Sequence, residues 1–223
     1  MLISVLFFFL TFLCNILSMI NTLKAYNELY SCHYSCGNKS SAQIFLFNNR
    51  RSKLILTAPH ATKSFAGKKE KKADLYTGAL VQHTGEITQT STLIRQKFTP
   101  YRTLISDYIA QNDLQNHYFL DIHGFNKNVP YDICLGTAYF PEKDYPFLSQ
   151  IIQIASKYKL KSIVNHPSYT GRIGLTGRYQ KIFNKTNVIQ IELKQYLRNF
   201  YDNPDVVQHI TIPFLSELCH LYK

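Results

Sequence analysis

Short apolar runs alternate with stretches of helical spacing along most of this 223-residue chain. Runs rich in β-branched and aromatic side chains predict strands, and apolar residues recurring every three or four positions predict helices. The predicted strands cover residues 43–47, 54–57, 118–122, 131–135, 161–164 and 188–192. The predicted helices cover residues 73–83, 105–116, 145–158 and 204–221. Interleaved strands and helices predict one α/β domain around a mixed, mostly parallel sheet.

The N-terminal segment 2–20 is almost uninterrupted apolar sequence and carries no charged side chain. Because it lacks the polar face of a soluble surface helix, it predicts a signal peptide or an N-terminal membrane anchor. Cleavage is favoured over anchoring, and Leu23-Lys24-Ala25 is an imperfect cleavage site. The predicted organisation is a leader over residues 1–25 and a single domain over 26–223 that is secreted or periplasmic.

Cysteine usage agrees with export. Cys32, Cys36, Cys134 and Cys219 follow the leader, and an even number is compatible with two disulfides of undetermined pairing. The spacing of Cys32 and Cys36 around His33 is also that of a small metal knuckle, but an oxidising compartment favours disulfides.

Composition and charge exclude some classes of protein. With 45% hydrophobic and 17% charged residues the chain can bury a core. The net charge of +11 suits an anionic polymer, an acidic small substrate or nucleic acid, and equally a plain solvated basic surface. Since no nucleic-acid-binding motif accompanies the charge, nucleic acid is not a predicted partner.

Three side chains suited to metal chemistry lie at the ends of predicted strands: His60, His123 and Glu192. In open α/β sheets, ligands bind in the crevice at the carboxyl ends of the strands, so these residues are expected to meet. Either histidine alone would be an ordinary core or surface residue. Two of them at strand ends, one preceded by Asp121 at a spacing that points both side chains the same way, predict a metal site.

A catalytic zinc ion takes three protein ligands and keeps one open position. His60 and His123 supply two, and the third is expected to be a carboxylate. Asp74 is preferred because it opens a predicted helix close to the His60 loop, although a plain helix N-cap is the alternative interpretation. The other candidates are Glu70 and Glu86.

Glu192 lies among aliphatic residues, where a carboxylate is costly to bury unless it is paired or functional. Beside a metal-activated water it would act as general base; the alternative is an ion pair with Lys194 or Arg198. The glycine-rich stretch 171–178 presents Arg172 and Arg178, whose guanidinium groups suit a substrate carboxylate.

These segments resemble the N-formylglutamate amidohydrolase family, relatives of the zinc carboxypeptidases and aspartoacylases. The matching pieces run in the family's order and cover residues 58–61, 73–78, 120–124, 187–193 and 196–198. The resemblance implies a phosphorylase/hydrolase-like three-layer α/β/α sandwich, one zinc ion on His60, an acidic residue and His123, and Glu192 as base. The related carboxypeptidases use a compact His-x-x-Glu, whereas Lys63 stands three residues after His60, so the acidic ligand must come from later in the chain.

The leading hypothesis is a zinc-dependent hydrolase that cleaves an amide bond in an N-acyl amino acid or peptide substrate carrying a carboxylate. One alternative is an exported amidase or peptidase acting on cell-envelope peptides. Another is a non-catalytic exported binding module on the same fold. A membrane is a partner only if the leader remains attached.

Overall fold

A mixed sheet organises the chain in the computed structural model, which describes residues 2–47, 52–66, 69–99, 104–126 and 128–222, with side chains from residue 17 onward except that of residue 66. Within these residues seven strands pair in the order β1-β5-β2-β6-β9-β7-β8. Their bounds are β1 Ile44–Phe47, β2 Leu54–Ala58, β5 Ser91–Arg95, β6 Tyr118–Phe125, β7 Ile133–Gly136, β8 Ser162–Val164 and β9 Val188–Lys194. Two pairs, β1 with β5 and β7 with β9, are antiparallel and the others are parallel. A separate hairpin pairs β3 Ser64–Ala66 with β4 Lys69–Lys71.

Helices cover both faces of this sheet. Their bounds are α1 Leu2–Ser35, α2 Thr77–Thr88, α3 Leu104–Gln111, α4 Leu148–Lys157, α5 Leu175–Phe183, α6 Gln195–Arg198, α7 Pro204–Val206 and α8 Ile212–His220. A 3₁₀ turn at Glu142–Asp144 precedes α4, and a π-helical turn at Val207–Thr211 joins α7 to α8. The larger core lies beneath α1, α2, α4 and α8, and the smaller one beneath α3 and α5. The predicted three-layer α/β/α architecture is confirmed.

Strict alternation along the central strands assigns each side chain to one of the two cores. In β2, Leu54 and Leu56 face the larger core, while Ile55 faces α3 and α5. Phe119 in β6 and Val188 in β9 continue this smaller apolar surface. All of these residues lie in the amino-terminal halves of their strands, so the carboxyl halves of the same face are left for other side chains.

Several elements differ from the sequence-based prediction, and the helix predicted over residues 105–116 ends at Gln111 as α3. Helix α2 begins at Thr77 rather than residue 73, because Tyr76 takes a left-handed conformation with φ of 74° that helical backbone cannot contain. The Lys-rich stretch predicted as a solvated loop contains β4. Strand β5 was not predicted, and the turn expected at residues 48–51 lies outside the described residues.

Helix α1 packs against α2 and contributes to the larger core. Ile20 and Leu23 are buried, and the hydroxyl groups of Tyr26 and Tyr30 donate hydrogen bonds to Glu86 and to Gln82. The predicted leader boundary at residue 25 therefore lies inside a helix whose following turns belong to the domain; cleavage there stays a prediction. Among the residues that the structure describes, no helix has the length and apolar character needed to cross a bilayer.

The cysteines after the leader are free thiols in this structure. Cys134 lies in the middle of β7 and Cys219 in α8, both buried, whereas Cys32 and Cys36 flank a break at the end of α1 where the backbone leaves helical geometry. The expectation of two disulfides is not supported for these four residues, because the sheet and α8 hold their cysteines in well-packed positions of their own.

Replacing Leu23 with Ala tests whether residues before position 25 stabilise the domain. Leu23 is fully buried, so Leu23→Ala is expected to lower the free energy of unfolding by about 2–5 kcal/mol. Urea denaturation followed by circular dichroism measures the change. Leu17→Ala is the matched control, because Leu17 is 60% exposed and its loss is expected to change stability by less than about 0.5 kcal/mol. Equal effects of the two substitutions would contradict the prediction.

Candidate active site

Polar side chains follow the apolar residues along β2, β6 and β9 on the face shared with α3 and α5. Thr57, Asp121 and Gln190 stand side by side in register across the three strands. One pleat further along, His123 pairs in register with Glu192. Strand β6 was predicted to end before His123, but it continues to Phe125, so that regular strand geometry fixes His123 and Glu192 on neighbouring strands.

His60 reaches the same place from the turn that follows β2. Its ring lies across that of His123, with 5.0 Å between the ring centroids and an interplanar angle of 62°. The Asp74 backbone N–H donates to the His60 carbonyl oxygen over 2.8 Å. The chain between these two residues therefore forms a loop that closes beside His60 before α2 begins. The His60 Nδ1 atom lies 2.9 Å from the Ser64 hydroxyl.

His123 is held between two carboxylates. Its Nε2 atom lies 2.9 Å from Asp121 Oδ2, and its Nδ1 atom lies 3.1 Å from Asp74 Oδ2. Asp121 is itself fixed by the Thr57 hydroxyl, which donates to Oδ1 over 2.5 Å. Burial alone would lower the pKa of His123, but Asp121 and Asp74 together raise it to about 10. The tautomer and orientation of this imidazole are therefore set by its neighbours.

The carboxylate of Asp74 does not cap helix α2. Its Oδ2 atom contacts His123 and lies 3.4 Å from the Lys71 ammonium group, whereas the N-cap residue of α2 is Tyr76, which makes no side-chain cap hydrogen bond. Burial would raise the pKa of Asp74, but these two donors outweigh it and hold the pKa well below its usual range. Asp74 is therefore an ionised carboxylate directed at His123.

The other two acidic candidates lie elsewhere. Glu70 is half exposed on β4 and pairs with Lys63 over 3.1 Å. Glu86 lies on α2, where it accepts hydrogen bonds from Tyr26 and Gln82. The structure thus brings Asp74, and neither of these glutamates, into contact with His123.

Glu192 is only 7% exposed and has no ion-pair partner among the described residues. Its Oε1 atom accepts a hydrogen bond of 2.9 Å from the Gln190 side-chain amide. Lys194 donates to the carbonyl oxygen of Val129, and Arg198 donates to carbonyl oxygens, so neither neutralises it. Burial raises the pKa of Glu192 to about 7, while the charge of His123 partly opposes the rise. A carboxylate with this pKa can accept and return a proton near neutral pH.

A cavity of about 290 Å³ opens above these residues. His60, His123 and Glu192 form part of its lining, together with Lys71 and Arg178. Arg178 reaches it from α5, which begins inside the stretch predicted as a glycine-rich loop. Arg172 is directed elsewhere: its Nε atom donates to the Ala138 carbonyl oxygen, and its guanidinium group lies over the Tyr139 ring.

Sequence reasoning missed four residues that complete the site: Thr57, Ser64, Lys71 and Gln190. Thr57 and Gln190 were detectable, because each is a polar residue on the face of a strand that otherwise carries apolar residues. Lys71 gave no such signal, since it belongs to a run of lysines.

A zinc ion fits the chemistry of these donors, although the described residues contain no group of three His, Cys, Asp or Glu side chains that is already arranged around a metal. Two ligands of a tetrahedral zinc ion lie about 3.3 Å apart. The Nδ1 atom of His123 and the Oδ2 atom of Asp74 are 3.1 Å apart, and Asp121 already supports the opposite nitrogen of the same ring. Burial and the charge of Lys71 lower the pKa of His60 well below its usual value, so it is neutral, as a metal ligand must be. His123, whose pKa is raised by Asp121 and Asp74, would have to release the proton on Nδ1 when a metal binds.

No protein-family model matches the sequence, and no curated protein matches it either. Solved structures do match. N-formylglutamate amidohydrolase from Ralstonia eutropha JMP134 has a TM-score of 0.58 at 12% identity, covering 82% of this chain and 98% of that one. The chain shares its fold with that enzyme. A bacteriophage poly-γ-glutamate hydrolase gives 0.53 at 14% identity over 82% and 88% of the two chains, and gene product Atu2144 of Agrobacterium tumefaciens gives 0.55 at 10% over 82% and 96%. At such low identity these similarities establish the fold alone.

The raised pKa of Glu192 predicts a pH-dependent effect of Glu192→Gln on stability. A carboxyl group whose pKa is about 7 in the folded chain and about 4.5 when unfolded contributes stability at low pH and loses it as pH rises towards 7. In chelator-treated protein, the variant is therefore expected to gain about 2–3 kcal/mol over the parent between pH 5 and pH 8. Urea unfolding at both pH values measures this. Glu217→Gln, at a surface pair with Lys157, is the control, and parallel pH curves for Glu192→Gln and the parent would contradict the prediction.

Proposed function

We propose that this chain is a zinc-dependent hydrolase that cleaves an amide bond in an N-acyl amino acid or peptide substrate carrying a carboxylate. The observation that carries the proposal is that His60, His123 and the buried Glu192 line one cavity, while the Asp74 carboxylate lies 3.1 Å from Nδ1 of His123. The fold is shared with an N-formylglutamate amidohydrolase and a poly-γ-glutamate hydrolase, whose names describe hydrolysis of such bonds.

In this proposal His60, Asp74 and His123 hold the zinc ion. When bound, zinc acidifies a water molecule and polarises the amide carbonyl. Asp121 accepts a hydrogen bond from His123 Nε2, so Nδ1 would be the nitrogen that binds zinc, after it releases the proton that it shares with Asp74. Glu192 takes a proton from the attacking water and returns it to the leaving amine. Gln190 keeps the Glu192 carboxylate in place through its side-chain amide.

Arg178 is the group we expect to bind the substrate carboxylate, since it lines the cavity. Arg172 was proposed from sequence for the same role, but its guanidinium group lies against Tyr139 and does not line the cavity. Lys71 adds a second positive charge beside the site. A cavity walled by two cations suits an anionic substrate, in agreement with the net charge of +11.

Export remains part of the proposal. It is supported by the apolar segment 2–20. The site itself does not depend on the compartment, because none of its polar side chains is a cysteine.

Glu192→Gln tests the mechanism. The substitution keeps the hydrogen bond with Gln190 possible but removes the base, so kcat on an N-acyl amino acid such as N-formylglutamate is expected to fall by at least about 10³-fold. The zinc content, measured by plasma emission spectroscopy, is expected to stay near one per chain. Glu217→Gln serves as the surface control with unchanged kcat.

Removal and return of the metal complete this test. Dialysis against a chelator should abolish activity, and added zinc should restore it in the parent but not in Glu192→Gln. Carefully prepared parent protein that holds no divalent ion would overturn the proposal. An unchanged function in Glu192→Gln would favour a non-catalytic binding module instead.

A second candidate, cleavage of longer acidic peptides such as those of a cell envelope, is favoured by a second cleft of about 520 Å³. Lys71 lines both clefts, and Asp74, on the wall of the second, contacts His123, on the wall of the first. A peptide chain that occupies both clefts would therefore cross the site. Lys63 and Lys72 on the outer wall would meet its carboxylates.

Substrate length distinguishes the two candidates. If a chain occupies both clefts, kcat/KM should rise from N-acetylglutamate to α- or γ-linked oligoglutamates of about five residues. Lys72→Gln should then raise KM for the oligomers alone, while Lys161→Gln, at the far edge of the sheet, should change neither. Equal efficiency on short and long substrates would leave only the small-substrate proposal.

A further inference from the structure

Arg198 is a buried arginine without an acidic partner. Only 2% of its surface is exposed, and among the described residues no carboxylate lies within ion-pair distance of its guanidinium group. A buried charge is costly unless it is paired or fully hydrogen-bonded. The hydrogen bonds that Arg198 makes, together with the more distant negative charges of Asp74 and Glu192, must therefore offset this cost.

Those hydrogen bonds end on three separate segments. The Nε atom donates to the Leu193 carbonyl oxygen over 3.3 Å, Nη1 donates to the Leu75 carbonyl oxygen over 2.5 Å, and Nη2 lies 3.5 Å from the Phe125 carbonyl oxygen. A further bond of 2.5 Å runs from Nη2 to Asn126 Oδ1. One planar group thus holds the end of β9, the end of β6 and the segment that leads into α2.

Each of these acceptors is a near neighbour in sequence of a proposed functional residue. Leu193 follows Glu192, and Leu75 follows Asp74. Phe125 is two residues beyond His123, and Gly124 between them provides the room: a Cβ atom there would lie 2.5 Å from Arg198 Cζ. The absence of a side chain at Gly124 therefore leaves the space that the guanidinium group occupies.

We propose that Arg198 is a positioning residue, which sets the separation of Asp74, His123 and Glu192 by tying their three backbone segments to one guanidinium group. The effect of Arg198 on catalysis rests on the proposed function, whereas its effect on the positions of the three side chains does not require a metal. Lysine cannot replace this arginine, because a single ammonium group cannot reach three carbonyl oxygens in the directions of a planar fork.

The ¹⁵N resonances of the two ring nitrogens of His123 test this role of Arg198. A general loss of stability would not shift one of these resonances and spare the other. Nδ1 contacts Asp74, whose segment Arg198 holds, whereas Nε2 contacts Asp121, which is held by Thr57. In metal-free protein, Arg198→Lys should shift the ¹⁵N resonance of His123 Nδ1 and leave that of Nε2 nearly unchanged. If neither resonance moves, or both move equally, the inference is overturned.

The same variant should weaken zinc binding, measured by chelator competition, by about 10–100-fold. It should lower kcat by about 10²-fold with little change in KM. Free guanidinium should partly restore both in Arg198→Ala. Leu23→Ala is the matched control, since it loses stability in the opposite core and should keep zinc affinity and kcat. A parent without metal or activity would refute the proposed function and leave the resonance test of Arg198 decisive.

Discussion

The contact of His123 with two carboxylates is the constraint on which the rest of the site depends. The alternation of side chains along β6 brings Asp121 and His123 to one of its faces, and Thr57 in the neighbouring strand fixes Asp121 in turn. Asp74 is different, because it comes from a segment outside the sheet. Its carboxylate reaches the opposite side of the same ring only because the chain after the hairpin returns to the His60 carbonyl. A regular sheet thus supplies one half of the site and an irregular segment the other.

The electrostatics of the cavity follow from this arrangement. Burial raises the pKa of Glu192, and the negative charges of Asp74 and Asp121 add to the rise, while the positive charges of His123 and Lys71 oppose it. Lys71 acts from the hairpin side, where its ammonium group lies 3.4 Å from Asp74 Oδ2. The charges are therefore divided by role: ionised carboxylates orient the imidazole, and Glu192, which makes no ion pair among the described residues, faces the open cavity.

Sequence patterns predicted the sheet and the meeting of His60, His123 and Glu192, because both depend on short apolar runs and on the residues that end them. The first polar residues after the apolar runs, His123 and Glu192, marked the predicted strand ends. Strands β6 and β9 end two residues further on. The start of α2 was wrong because a left-handed tyrosine cannot be read from a helical pattern. Similarly, Arg178 was placed in a loop, since glycines in the first turn of α5 mask its helical spacing. The hydrogen-bond partners of Arg198 could not be predicted from sequence, because most of them are backbone carbonyl oxygens, which every residue has.

The hydrogen bond from the Asp74 amide to the His60 carbonyl closes residues 61–73 into a loop whose two ends are joined by backbone alone. Because this closure uses no side chain of the loop, the residues between Ser64 and Lys71 can change in number and kind without moving either end, provided that Ser64 keeps its contact with His60 and Lys71 its contact with Asp74. Such a change would alter what enters the cavity while leaving the chemistry beneath it intact. The middle of this hairpin is therefore the natural place to begin redesigning specificity.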